Sequence, residues 1–178
     1  MTEDTEIYHV CITDKERGFR LLMTKYQELI YHYIRRMVVS HHDAEDVTQE
    51  TFIRVYRSIH KFRNDSALGT WIYRIATNEC IRFLSRKNKM TVSAESVNSE
   101  LINSLKASDY IDYDDVVVVK FQEAILHLSD KQRIVFNLRY YDDLDYNQIS
   151  KITDTKVDTL KVEYHIAKDK IMNYMTKE

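Results

Sequence analysis

Apolar residues recur at every third or fourth position through most of this chain, with polar residues between them. From 19 to 39, Phe19, Leu22, Tyr26, Leu29, Ile30, Tyr33 and Met37 make one stripe, which predicts a helix with a single buried face. His41–Asp43 interrupts the pattern, and Asp43 is suited to cap a second helix over roughly 44–60. Ala44, Val47, Thr51, Val55 and Ile59 form its inward face. Asn64, Asp65 and Ser66 read as a loop. Thr70 is placed to cap a third helix over 71–88, with Trp71, Ile72, Ile75, Phe83 and Leu84 largely inward.

The periodicity then stops. Residues 91–115 are rich in Ser, Asn and Asp and read as a flexible acidic linker, although a surface helix around 99–107 would also fit. Order returns at Asp114 and Asp115, followed by the stripe Val118, Phe121, Ile125 and Leu128. Ser129 with Gln132 three residues on is a capping-box pattern for a helix burying Ile134, Val135, Leu138 and Tyr141. Asp145 with Gln148 repeats the pattern, and Ile149 and Ile152 face inward. The last helix buries Val157, Leu160, Tyr164, Ala167 and Ile171. Two short helices joined by a tight turn, the second with a polar outer face, are the layout of a helix-turn-helix that enters a DNA major groove.

These elements predict an all-α fold of two small helical domains, spanning 1–90 and 116–178 and joined by the linker 91–115. Composition agrees: the 178 residues include only 2 Gly and 0 Pro, too few to punctuate a set of β-hairpins. The net charge of −2 hides a strong segregation. Residues 15–90 hold fifteen Lys and Arg against eight Asp and Glu, whereas 91–115 hold one against six. Local charge, not the total, governs phosphate binding. The segment 61–89 concentrates Lys61, Arg63, Arg74, Arg82, Arg86, Lys87 and Lys89 against Asp65 and Glu79, with Phe62, Trp71 and Tyr73 interleaved. Cations for phosphates and aromatic surfaces for unpaired bases are what single-strand binding needs.

Other chemistries find little support. Cys11 and Cys80 form no CxxC and read as free thiols of a reducing cytoplasm. The seven His show no metal-ligand spacing, and no phosphate loop or nucleophile motif occurs. Asp142, Asp143 and Asp145 read as a solvated loop plus a helix cap, since a calcium loop would need Gly and a different spacing. No apolar run reaches the ~18 residues of a membrane span, and no leader pattern opens the chain. The expectation is a cytoplasmic, non-catalytic protein without metal or cofactor.

Two stretches resemble a known family. Asp43–Phe52 (DAEDVTQETF), Phe62 with Arg63, and Thr70–Asn78 (TWIYRIATN) resemble region 2 of bacterial sigma factors. Leu128–Phe136 (LSDKQRIVF), Arg139 with Tyr140, and Thr159–Lys161 resemble region 4. Their order and the linker point to the extracytoplasmic-function (ECF) group of the sigma-70 family. The resemblance implies a protein that binds core RNA polymerase through its β′ and β subunits and directs it to promoter DNA, with an anti-sigma factor as a usual regulator.

The resemblance also assigns residues. Glu45, Asp46, Gln49, Glu50 and Arg54 would dock on the β′ subunit. Phe62, Arg63, Trp71, Arg74, Asn78, Arg82, Arg86, Lys87 and Lys89 would hold the −10 element, with a flipped base near the 64–68 loop. Trp71 is equally read as a core anchor. Gly69 stands where relatives often carry a larger or basic residue. Lys156, Thr159, Lys161, Glu163 and Lys168 would face the −35 element. Asp154 replaces a common turn Gly, Lys156 a common Ser cap, and Glu163 a common Arg. Two other readings stay open: a stand-alone helix-turn-helix regulator, and a sigma-like protein that only sequesters partners.

Overall fold

A computed structural model describes residues 3–63, 66–90 and 116–176, without the side chains of 88–90 and 116. The linker 91–115 and residues 64 and 65 of the 64–68 loop, expected to hold a flipped base, lie outside the described residues. Among the described residues every regular element is helical. The first domain comprises α1 (Glu3–Thr13), α2 (Lys15–Val38), α3 (His41–Ser58), a 3-10 turn (Ile59–Lys61) and α4 (Leu68–Met90). The second comprises α5 (Val116–Leu126), α6 (Asp130–Tyr140), α7 (Tyr146–Thr153) and α8 (Val157–Thr176).

Helix α1 is absent from the sequence reading, which places the first helix at 19–39. Ile7 and Cys11, one turn apart, bury it against α2. Gly18 makes the approach possible, because a Cβ there would collide with the Cys11 backbone. Asp4 then reaches the start of α4. It accepts hydrogen bonds from Tyr26 Oη at 2.6 Å and Lys25 Nζ at 2.7 Å, and the nearby Gly69 backbone N–H helps to lower its carboxyl. The Tyr26 ring lies 3.1 Å from where a Gly69 Cβ would be, which explains the small residue at that position.

Helix starts differ from expectation by a few residues. Ser40, not Asp43, caps α3, accepting the Asp43 N–H at 3.3 Å. Asp43 sits instead in the first turn, where a carboxylate complements the helix dipole. α4 begins at Leu68, and Thr70 is buried inside its first turn, so Thr70 is not its cap. Leu29, placed on the buried stripe by its spacing, is 49% exposed.

In the second domain, Ser129 caps α6 through the Gln132 N–H, but the Gln132 side chain turns away to α8 instead of closing the box. At α7 both arms of the Asp145–Gln148 box are made, at 2.8 and 2.9 Å. Asp154 takes the left-handed turn conformation, with φ 54° and ψ 39°.

The two domains pack directly on each other: α4 against α7, and α2 against α6. One hydrophobic core runs from Ile7 through Leu22, Tyr33, Phe52, Ile72 and Leu84 into Ile134, Leu138, Ile149 and Leu160. Asp142, expected in solvent, is a buried hub of this seam. Arg36 Nη2 donates to both of its carboxylate oxygens at 2.7 Å, and Tyr73 Oη donates at 3.1 Å. Burial pushes the Asp142 carboxyl up, and Arg36 opposes that only in part. Arg133 is 1% exposed in the same seam. Its Nη2 reaches Asp130 at 3.0 Å, while its Nε and Nη1 find no hydrogen-bond partner among the described residues.

Candidate nucleic-acid interface

The exposed side of α4 is built on a four-residue repeat. Ile72, Ala76, Cys80 and Leu84 bury one face of the helix. Arg74, Asn78, Arg82 and Arg86, all exposed, therefore stack in a ridge along another. The ridge overlooks a 380 Å³ cleft between α3 and α4, lined by Arg54, Arg57, Lys61, Asn78 and Arg82 together with Glu50 and Glu79. Glu79 is 5% exposed and holds the cleft in shape. It accepts from Arg54 Nε at 2.5 Å and from Arg82 Nη1 at 2.6 Å. With one buried carboxylate shared by two guanidiniums, the cleft keeps a positive surplus facing solvent. Lys87 is half-buried and lies 3.6 Å from Asp43.

Phe62 lies in the core at 4% exposure, so it anchors the loop from below rather than offering a stacking face. Its ring packs against Tyr8 and Trp71, with centroids 5.0 and 5.5 Å apart. Tyr8 Oη also donates to the Phe62 carbonyl at 3.0 Å. Trp71 is half-buried and Arg63 exposed, and the Lys89 side chain lies outside the described residues.

The five residues expected on one docking face divide between two. Glu45, Asp46 and Gln49 line a 1420 Å³ groove between α2 and α3, beside Phe19, Met23, Phe52 and Tyr56. Glu50 and Arg54 belong to the basic cleft on the other side of α3. Sequence reasoning missed Arg57, although its spacing from Arg54 and Lys61 places all three along one side of the α3 end.

Lys156, just before α8, and Thr159, Lys161 and Lys168 on it are exposed. Lysine has no acceptor, so Lys156 starts the helix through its backbone carbonyl alone, 3.0 Å from the Leu160 N–H. Glu163 is half-buried and held by Gln132 Nε2 at 3.1 Å, and Gln132 in turn accepts from Lys170 at 2.9 Å. Glu163 and Thr159 of α8 face Arg74, Asn78 and Ile81 of α4 across a 260 Å³ cavity. Residues expected to face the −10 and −35 elements thus line one space.

Sigma-70 region 2 matches residues 22–90, and sigma-70 region 4 matches residues 119–171. This chain belongs to the ECF group of the sigma-70 family. It is 35% identical over 156 residues to the ECF sigma factor SigW of Bacillus subtilis, covering 83% of each chain. It is 31% identical over 166 residues to the ECF sigma-E factor of Escherichia coli strain K12, covering 89% of this chain and 86% of that one. Solved structures share the fold. The sigma factor RpoE of Bartonella quintana, in complex with the anti-sigma factor NepR, superposes with a TM-score of 0.70 at 16% identity, over 91% of this chain and 99% of that one. CnrH, in complex with the cytosolic domain of CnrY, gives 0.70 at 17% identity, over 96% and 95%. The sigma factor's two cysteines are free and buried, and burial raises both thiols above their ordinary range. Among the described residues no helix is long and apolar enough to cross a membrane.

Proposed function

We propose that this sigma factor docks on core RNA polymerase through the α2–α3 groove and opens promoter DNA along the α4 ridge. The ridge carries the reading: Arg74, Asn78, Arg82 and Arg86 are exposed in one line beside a cleft with surplus positive charge. Phosphates of a separated strand would follow the cations, and Trp71 would flank the extruded base. α8 would take the −35 duplex in its major groove. Residues 1–90 and 116–178 act as the two modules, and the linker lets them span separated elements on one enzyme surface. The protein binds and positions; it performs no catalysis and works in the cytoplasm. An anti-sigma factor is the expected regulator, as the structural neighbour RpoE is bound to one.

The test is reconstitution with bacterial core enzyme. Co-elution on a sizing column followed by run-off transcription is the expected result. Arg82→Ala and Trp71→Ala should keep co-elution and lose strand opening, read by a fluorescent base analogue in the −10 segment. Duplex binding by the chain alone, with no co-elution, would establish a stand-alone regulator instead. Co-elution of the unaltered chain without any transcript would favour sequestration.

A further inference from the structure

Helix α1 holds both chain segments that frame Trp71. On one side the Tyr8 ring meets the Phe62 ring edge-on, with centroids 5.0 Å apart, and Phe62 meets Trp71 at 5.5 Å. Tyr8 Oη also donates to the Phe62 carbonyl at 3.0 Å, 54 residues along the chain. Phe62 ends the 3-10 turn, so that bond fixes the backbone where regular structure stops. On the other side, Asp4 accepts from Tyr26 Oη at 2.6 Å, and the Tyr26 ring lies 3.1 Å from where a Gly69 Cβ would be. Gly69 stands two residues before Trp71 in the first turn of α4. Ile7 and Cys11 fasten α1 to the core, so Tyr8 and Asp4 are carried on a docked helix.

The sigma-70 region 2 match begins at residue 22, and α1 precedes it. An aromatic that receives an unpaired base works only if its supporting residues lock its position. Trp71 is half-buried, and Phe62 behind it is too buried to meet a base itself. We propose that Tyr8, with Asp4 acting through Tyr26, is a positioning residue for strand opening: it fixes Trp71 against the extruded base and touches no DNA. This deepens the reading of Trp71 given above and rests on it. The bulk anchoring of α1 falls to Ile7 and Cys11, whereas the Tyr8 hydroxyl serves the Phe62 backbone alone.

Trp71 is the chain's one tryptophan, so its emission reports its place directly. In the free full-length chain, Tyr8→Ala should shift that emission to the red and make it easier to quench with acrylamide. Holoenzyme assembled from the full chain and core polymerase is then mixed with a duplex that the unaltered holoenzyme selects from a random pool, carrying a fluorescent base analogue in its −10 segment. Tyr8→Ala should slow opening about tenfold, the upper range of one lost aromatic pair, with co-elution and closed-complex binding unchanged. Tyr8→Phe keeps the ring pair and should slow opening about threefold, the value of one net hydrogen bond. Opening at the parental rate in Tyr8→Ala overturns the proposal, whether or not Trp71 emission moves. So does slowed opening with unmoved emission, which would give Tyr8 a role that does not pass through Trp71. Should Tyr8→Ala fail to melt cooperatively, Tyr8→Phe decides, and a parental opening rate there overturns the proposal. If Trp71→Ala opens the duplex normally, the reading of Trp71 fails and the proposal with it. If the unaltered chain forms no holoenzyme, the sigma-factor reading itself fails.

Discussion

Single side chains set the local charge of the proposed basic cleft and the anchoring of α1. Glu79 is the clearest case, since one buried carboxylate orients Arg54 and Arg82 together. Glu79→Gln leaves two guanidiniums sharing a neutral acceptor. The expected cost is about 1–3 kcal/mol in thermal unfolding, with slower promoter opening and unchanged core binding. Asp4 carries a pH dependence. Burial raises its carboxyl, but the hydrogen bonds from Lys25 and Tyr26 and the Lys25 charge outweigh that, so its folded value lies below the ordinary one. A depressed carboxyl contributes stability above its ordinary value and loses it as the pH falls through the folded one. Acidification through that window should release α1, and Asp4→Ala should release it at neutral pH. Faster hydrogen exchange at residues 3–13 is the readout.

At the scale of elements, close approaches and turns decide what each helix can do. α1 meets α2 only because Gly18 has no side chain, as its Cβ would collide with Cys11 backbone. Gly18→Ala should therefore destabilise the first domain by roughly 1–3 kcal/mol, against the helix-propensity gain of Ala on an open face. A melting-temperature rise would refute that. The turn of the helix-turn-helix depends on Asp154 in the left-handed region. Aspartate tolerates this conformation and a β-branched residue does not, so Asp154→Val should cost about 1–2 kcal/mol while Asp154→Gly stays near or above the parent. The strength of patterning also explains which elements were legible beforehand. α7, with a complete local capping box, follows directly from Asp145 and Gln148. The α4 start does not, because Thr70, read as its cap, is buried inside the first turn of a helix that begins at Leu68.

Across the whole molecule, the seam turns the two helices proposed to face DNA toward one 260 Å³ cavity. A duplex is far too large for that space, so promoter binding through both faces requires the domains to part. The seam is built to allow it. Asp142 is buried with a raised carboxyl, and Arg133 is buried with two unpartnered nitrogens. Both groups would recover hydration on opening, which offsets part of the apolar surface lost. Asp142→Ala strands Arg36 in the seam and should shift the chain toward extended forms, seen as a larger radius of gyration in solution scattering. The pair Arg36→Met with Asp142→Leu removes both charges and should restore the compact form, because a buried ion pair often stabilises no more than apolar residues of its size. No change in scattering for Asp142→Ala would remove Asp142 as the latch.

Helix content, the order of the two modules, the charge segregation and the helix-turn-helix were determined by sequence alone. Each depends on spacing within one helix or on a cap a few residues away, and local geometry translates such spacing into a face. Tertiary structure decided the rest. It buried Phe62 under Tyr8 and Trp71, divided Glu45 and Asp46 from Glu50 and Arg54, and drew Asp142 out of solvent. Those outcomes depend on partners distant in the chain, such as Arg36 and Asp142. Their meeting is set by how whole helices pack, and no periodicity within a helix encodes it.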